Sequence, residues 1–214
     1  MSTDATDDRA VDELRAEIDR LTEENERLRA SNRRWMRIAG TDALTGLPNK
    51  VYFSTALLPQ LIVQADAQAF PFSCLIVAPD GLGEINHRHG REAGDDTLRG
   101  VAAFLKEGLE AHERLLHLDG ANFVLVLLRG DLPAAKRRAL ALRARLVSRP
   151  FRVGSEVITL TMCMGTVCRN PDPAGESADA KAVVEALLTK LTAVLDRAKR
   201  EGPDKLVEDP QTDF

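Results

Sequence analysis

The sequence predicts an α+β domain with a central antiparallel sheet flanked by helices, preceded by an N-terminal coiled-coil helix. Three observations carry this. Apolar residues before Gly40 fall on a heptad seam; beyond Gly40 the periodicity changes to alternating strand-like and helix-like segments; and 44% hydrophobic residues in 214 can fill one domain-sized core. Organisation follows as residues 1–40 for a disordered tip and a dimerising stalk, 41–208 for the domain, and 209–214 for a flexible tail.

The seam consists of Val11, Leu14, Ile18, Leu21, Asn25, Leu28, Asn32 and Trp35, spaced alternately by three and four residues. Val11, Ile18, Asn25 and Asn32 take a positions, and Leu14, Leu21, Leu28 and Trp35 take d positions. β-Branched residues at a, leucine at d and a buried amide at inner a positions favour a parallel homodimer, since the amide pairs with its twin and penalises other registers. Glu24 at g and Arg29 at the next e can pair across the seam.

Beyond Gly40, Ser73–Val77 reads as a short apolar strand and Ala93–Leu109 as an amphipathic helix. Leu115–Leu118 and Phe123–Leu128 read as strands on either side of a turn, and Asp119-Gly120 is suited to a tight hairpin. Pro133–Val147 reads as a basic amphipathic helix, Val157–Val167 as one strand, and Ala180–Arg200 as a long helix ended by Gly202-Pro203. The Pro, Asp, Gly and Ser of Asn170–Asp179 mark a surface loop.

Composition narrows the function classes. Lys and Arg number 29 against 33 Asp and Glu, dispersed along the chain with a net charge of -4, so there is no electrostatic footprint for nucleic acid or an anionic membrane. No apolar stretch is long enough to span a bilayer, and the acidic N-terminus is unlike a signal peptide, which predicts a cytoplasmic protein. Cys74, Cys163 and Cys168 are odd in number, lack a CxxC pair and lie in or beside apolar runs, as buried free thiols do.

Four sequence blocks carry more specific information. Thr41–Asn49 reads TDALTGLPN; Ile85-Asn86 is followed by Gly90-Arg-Glu-Ala-Gly94-Asp95; Met164-Gly165-Thr166-Val167 comes later; and Arg197-Ala198-Lys199-Arg200-Glu201-Gly202 closes the last helix. Together, in order over roughly residues 41–207, they resemble the GGDEF (diguanylate cyclase) family. The resemblance implies a palm-like, ferredoxin-related fold. It also implies a reaction in which two GTP molecules, one on each subunit of a dimer, are joined into cyclic di-GMP with magnesium bound by converging carboxylates.

At the positions that match those carboxylates, this chain departs from the family. The resemblance places Ala78 where the first strand supplies a metal ligand, and Asp119-Gly120-Ala121-Asn122-Phe123 on the signature hairpin, with Ala121 and Asn122 at its acidic pair. A methyl group cannot ligate magnesium, so no catalytic residue is assigned and no cofactor is expected. Magnesium enters only under an alternative in which Asp80 and Asp119 rebuild a displaced metal site and the enzyme is active. The phosphate-handling residues are also thinned: Leu82 and Gly83 stand where Phe-Lys is usual, and Lys199 remains while Pro203 replaces the arginine.

The family's guanine-reading pair matches Asn86 and Asp95, and a carboxylate facing the two donors of a guanine edge is a sensible discriminator. Two structural readings stay open beside it: Asp95 as support for the start of a helix, and Asn86 as a polar loop anchor. The inhibitory product site, Arg-x-x-Asp in the family, reads Glu110-Ala-His-Glu113 here. His87 and His89 fall in a polar loop and read as solvated side chains. The resulting expectation is a catalytically inactive dimeric scaffold for an unidentified protein partner with weak guanine-nucleotide binding. The alternatives are a GTP-binding sensor and an active cyclase with displaced ligands.

Overall fold

The computed structural model describes residues 4–153, 156–172 and 180–209, with side chains described from residue 14 onward except at 33–38. The chain divides between Gly40 and Thr41 into two compact units. The first is a single helix, α1 (Asp4–Ala39). It starts at Asp4, so helix replaces most of the tip expected to be disordered. Leu14, Ile18, Leu21 and Leu28 are 50–63% exposed on it, while Arg20 links Glu17 and Glu24 one turn away on either side. The side chains of Val11 and Trp35 lie outside the described residues.

The second unit begins with the turn at Asp42–Asn49 and a helical run made of α2 (Lys50–Tyr52), a π-helical turn (Phe53–Leu57) and α3 (Leu58–Ala67). The sheet strands are β1 (Phe72–Pro79), β2 (Glu113–Asp119), β3 (Asn122–Leu127), β6 (Met162–Arg169) and β7 (Leu206–Glu208), in the order β2-β3-β1-β6-β7. All neighbours are antiparallel except β6 and β7. A separate hairpin joins β4 (Pro150–Val153) to β5 (Glu156–Thr159). The remaining helices are α4 (Leu82–His89), α5 (Arg91–Glu107), α6 (Leu132–Val147) and α7 (Ala180–Arg200).

Both sheet faces are covered. Phe72, Cys74, Ile76 and Ala78 of β1 join the apolar cluster containing α3 and α7, while Leu75 and Val77 join the cluster containing α5 and α6. This explains why β1 and β6 are mostly apolar without alternation: every residue of each is buried, Ser73, Thr166 and Arg169 included. Cys74, Cys163 and Cys168 are free and buried, and burial raises the thiol pKa at each.

Several expected boundaries change. The run expected as one strand over Val157–Val167 is two strands separated at Leu160 and Thr161, because the chain leaves the small hairpin there and enters the main sheet. The expected loop holding Asn86, His87 and His89 is the helix α4, eight residues between Gly81 and Gly90 and too short for helical periodicity to declare itself. Asp209 of the expected flexible tail is held, its N–H donating to Thr166 O at 2.9 Å. Residues 210–214, and 173–179 of the expected loop, lie outside the described residues.

Candidate functional site

The TDALTGLPN stretch folds into a self-bonded turn. Asp42 Oδ1 accepts from the backbone N–H and the hydroxyl of Thr45 at 2.8 and 2.7 Å, Asp42 N–H donates to Leu47 O, and Leu47 is buried. Asn49 caps α2 by accepting from Tyr52 N–H at 3.2 Å. The turn is fastened to β2 by His117, whose N–H donates to Pro48 O at 2.8 Å.

Next to this turn, Leu44, Leu82, Asn86, Arg91, Gly94, Asp95, Leu98, Gly120 and Ala121 line a groove of about 550 Å³, within the range of small-molecule sites. The structure thus brings the two sequence-predicted base readers, Asn86 from α4 and Asp95 from α5, against the hairpin turn. Neither side chain has a hydrogen-bond or ion-pair partner among the described residues. Asn86 lies directly over Gly94, where a Cβ would stand 1.8 Å from Asn86 Oδ1. Gly94 is therefore a spacer without which Asn86 could not occupy its present position, a role that became visible only once α4 and α5 were placed together.

The hairpin turn itself is Gly120-Ala121, with Asp119 paired across from Asn122. Gly120 has φ of +52°, which puts the left-handed residue first in the loop and accommodates glycine without strain. Asn122 is the centre of a short polar chain: its Nδ2 donates to Asp119 Oδ1 at 2.7 Å, and its Oδ1 accepts from Lys199 Nζ at 3.3 Å. Lys50 approaches Asp119 at 3.8 Å. Lys199 therefore reaches the hairpin from α7, but it does not line the groove. Phe123, which follows, is fully buried and stacks on His117 with ring centroids 4.7 Å apart.

At the end of β1, Ala78 is 1% exposed, pairs with Cys163 on β6 and belongs to an apolar cluster that includes Leu118, Cys163 and Ala198. Asp80 is engaged elsewhere: its Oδ2 accepts from Thr161 Oγ1 at 2.7 Å and from Asp204 N–H at 2.9 Å. It ties the end of β1 to the segment before β6 and to the turn after α7. Among the described residues, the set of three ligand-type side chains with atoms close enough to share a metal is Glu110, His112 and Glu113, and it contains neither Asp80 nor Asp119.

Glu113 of that set is buried and committed to Arg138, with an ion pair closed by Nη2–Oε2 at 2.9 Å, and it also accepts from Glu110 N–H. The stretch matching the inhibitory product site is thus a structural corner joining β2 to α6. His87 and His89 are on the last turn of α4; His89 lies 3.7 Å from Glu156 of β5.

The family model "Diguanylate cyclase, GGDEF domain" matches residues 39–204. The response regulator PleD of Caulobacter vibrioides is 30% identical over 174 residues, covering 80% of this chain. Diguanylate cyclase DgcP of Pseudomonas aeruginosa is 29% identical over 166 residues, covering 78%. The chain spans only 36% and 23% of those two proteins. Among solved structures, the coiled coil and GGDEF domain of DgcB from Caulobacter crescentus, in complex with c-di-GMP, has a TM-score of 0.70 at 24% identity over 92% of this chain and 99% of that one. Diguanylate cyclase SiaD from Pseudomonas aeruginosa, in complex with its activator SiaC, has a TM-score of 0.71 at 22% identity over 96% of this chain and 76% of that one.

Proposed function

This chain belongs to the GGDEF family of diguanylate cyclases, and from that premise we propose that it is a non-catalytic member: a dimeric signalling module that keeps a guanine-selective groove and presents its cyclase-like surface to a protein partner. The observation that carries the reading is the donor set. Where the family's reaction needs carboxylates to gather magnesium, this chain has Ala78 inside an apolar cluster and Ala121-Asn122 on the hairpin. A hard cation there would meet methyl groups and one amide already bonded to Asp119 and Lys199. Asp80 does carry a carboxylate, but its Oδ2 already accepts from Thr161 and Asp204, and Asp119 is exposed on the hairpin beside Asn122 and Lys50. We read neither as a metal ligand. The residues present do not fit the family's magnesium site.

The exposed row Leu14, Ile18, Leu21 and Leu28 supports dimerisation through α1, since each such side chain gains about 1.5–3 kcal/mol when fully buried. Asn25, also exposed, is the residue to set a parallel register. A second reading, a nucleotide sensor, draws support from Asn86 and Asp95, which have no side-chain partner among the described residues and line one groove with Leu44, Leu82 and Leu98 for the purine faces. It needs no metal to be sensitive to guanine. The activator complex of SiaD is a precedent for a protein partner on this fold.

The deciding experiment pairs two measurements on the full chain. GTP incubated with magnesium or manganese is expected to give no cyclic di-GMP, and calorimetry is expected to find GTP bound in preference to ATP with little dependence on magnesium. Product whose formation is abolished by Asp80→Ala or Asp119→Ala would establish a rebuilt metal site and refute the non-catalytic reading. Equal affinity for ATP and GTP would remove the guanine groove.

A further inference from the structure

Helix α5 contributes one stripe to the groove. Arg91, Gly94, Asp95 and Leu98 line it, and their spacing of three, four and seven residues from Arg91 places all four on a single face of the helix. The chemistry changes along that face: an exposed guanidinium in the first turn, no side chain at Gly94, a half-buried carboxylate one turn on, and a buried leucine beyond it. Asn86 of α4 lies over Gly94, and Gly120 and Ala121 of the hairpin complete the lining.

Arg91 stands where helix stability disfavours a cation. It is the first residue of α5, directly after Gly90, and a positive charge at a helix N-terminus opposes the macrodipole. Glu92, the acidic residue of the same turn, does not line the groove. Nearby arginines are neutralised along their helices: Arg88 pairs with Glu84 four residues back at 2.6 Å, and Arg99 pairs with Asp96 three residues back. Arg91 has Asp95 four residues on, yet the two side chains do not pair, and neither has a partner among the described residues. Opposite charges one turn apart on the same wall are therefore both available to a ligand. A residue that breaks a local preference without a compensating contact is what a functional position looks like.

We propose that Arg91 is a third reader of the guanine base, its guanidinium donating to O6 and N7 while Asp95 accepts from N1 and N2. This rests on the reading of the groove as a guanine site. Guanine presents the two kinds of group side by side: O6 and N7 accept, whereas the neighbouring N1 and N2 donate. Residues four apart on a helix are separated by about 6 Å along its axis, so the fork of Arg91 and the carboxylate of Asp95 can address adjoining edges of one purine. The planar guanidinium matches the O6 and N7 pair with two parallel bonds, the contact by which arginine most often recognises guanine in nucleic acids. Adenine carries an amino group where guanine carries O6, and there the same guanidinium would meet a donor. Selectivity thus gains a repulsive element beside the attractive one at Asp95. Such recognition draws on the base alone, which suits a chain whose Ala78 and Ala121 offer no ligand to a metal.

The test is calorimetry on the full chain with nucleosides, which carry no phosphate. The unmodified chain is expected to bind guanosine about fivefold more tightly than 7-deazaguanosine, which lacks the N7 acceptor. Arg91→Met, which keeps an extended side chain and loses its donors, should weaken guanosine about tenfold and bring the ratio of the two affinities to about one. Inosine lacks only the N2 amino group, so the preference for guanosine over inosine should survive Arg91→Met and fall in Asp95→Asn. Arg91→Lys keeps the charge without the fork and should not restore the dependence on N7. Removing a cation from the first turn of α5 should leave the melting temperature at or above that of the parent, so that lost binding is not lost fold. Should Arg91→Met melt lower, the unmodified chain still decides, because failure to distinguish guanosine from 7-deazaguanosine overturns the assignment without any variant. Guanosine affinity within about twofold of the parent in Arg91→Met, with Asp95→Asn still weakening it, overturns the role of Arg91 and leaves the guanine groove standing. A loss seen with GMP and absent with guanosine makes Arg91 a phosphate clamp and overturns it equally. If the parent binds guanosine no better than adenosine, the guanine reading itself fails and the role of Arg91 falls with it.

Discussion

Gly94→Ala separates stability from ligand recognition in a way that few substitutions here can. Gly94 lies inside α5, where alanine is favoured over glycine by about 0.8–1.0 kcal/mol. Against this, the new Cβ would stand 1.8 Å from Oδ1, 2.8 Å from Cγ and 3.3 Å from Nδ2 of Asn86. All three atoms belong to the end of one exposed side chain with no hydrogen bond among the described residues, so the amide can swing aside at a cost of about 0.5–1.5 kcal/mol. The two effects nearly cancel, and the melting temperature should stay within about 3 °C of the parent, as expected when less than 1 kcal/mol is at stake in a protein of this size. Recognition should suffer, since the amide has left the groove. Losing hydrogen bonds worth about 1–2 kcal/mol weakens GTP about 5- to 30-fold while leaving weak ATP binding unchanged. Calorimetry on the parent, Gly94→Ala and Asn86→Ala checks this, with the last expected to match the affinity loss. GTP affinity within about twofold of the parent would refute the assignment of Asn86 to the base. A melting point lowered by about 10 °C, well beyond what 1 kcal/mol explains, would show that backbone had moved instead of one side chain.

Three further outcomes follow from the same structure. Removing residues 1–38 should convert a dimer to a monomer by light scattering, and Asn25→Leu should raise thermal stability while loosening the choice of oligomer; a full-length monomer would overturn the stalk assignment. Arg138→Ala should destabilise by about 3–5 kcal/mol in urea unfolding, because Glu113 would be left buried without its countercharge, whereas Arg149→Ala on the exposed Glu107 pair should cost under about 1 kcal/mol. Asp66 is also pH-linked: burial raises its carboxyl pKa, but the Arg169 pair and the Asp172 N–H lower it more, for a net depression. Its contribution is present above the unfolded carboxylate pKa and lost as pH falls through the depressed folded value, so Asp66→Asn should flatten the acid side of the stability profile.

Much of this molecule was legible before any coordinates. The helix that carries the α1 heptad, the strands around Leu75 and Leu125, and the span Ala180–Arg200 of α7 follow from helical periodicity and from short apolar runs, which are local properties of the chain. So was the absence of carboxylates at 78, 121 and 122, since residue identity there needs no fold to be read. Other features depended on contacts distant in sequence. Helix α4 carries Asn86 between two positive-φ glycines and is too short to show a period. The split between β5 and β6 depends on which sheet each half joins, and β7 depends on a parallel neighbour in β6. The commitment of Asp80 to Thr161 and Asp204, residues 81 and 124 positions away, could be known only after folding. The same holds for the Asn86–Gly94 approach and for the placing of His117 between Asp42 and Gly120. Sequence determines which groups are available and the local period they follow, because those depend on neighbouring residues alone. Which acceptor a buried donor meets, and which carboxylate remains free to bind a ligand, is decided by the tertiary packing that brings remote segments within hydrogen-bonding distance.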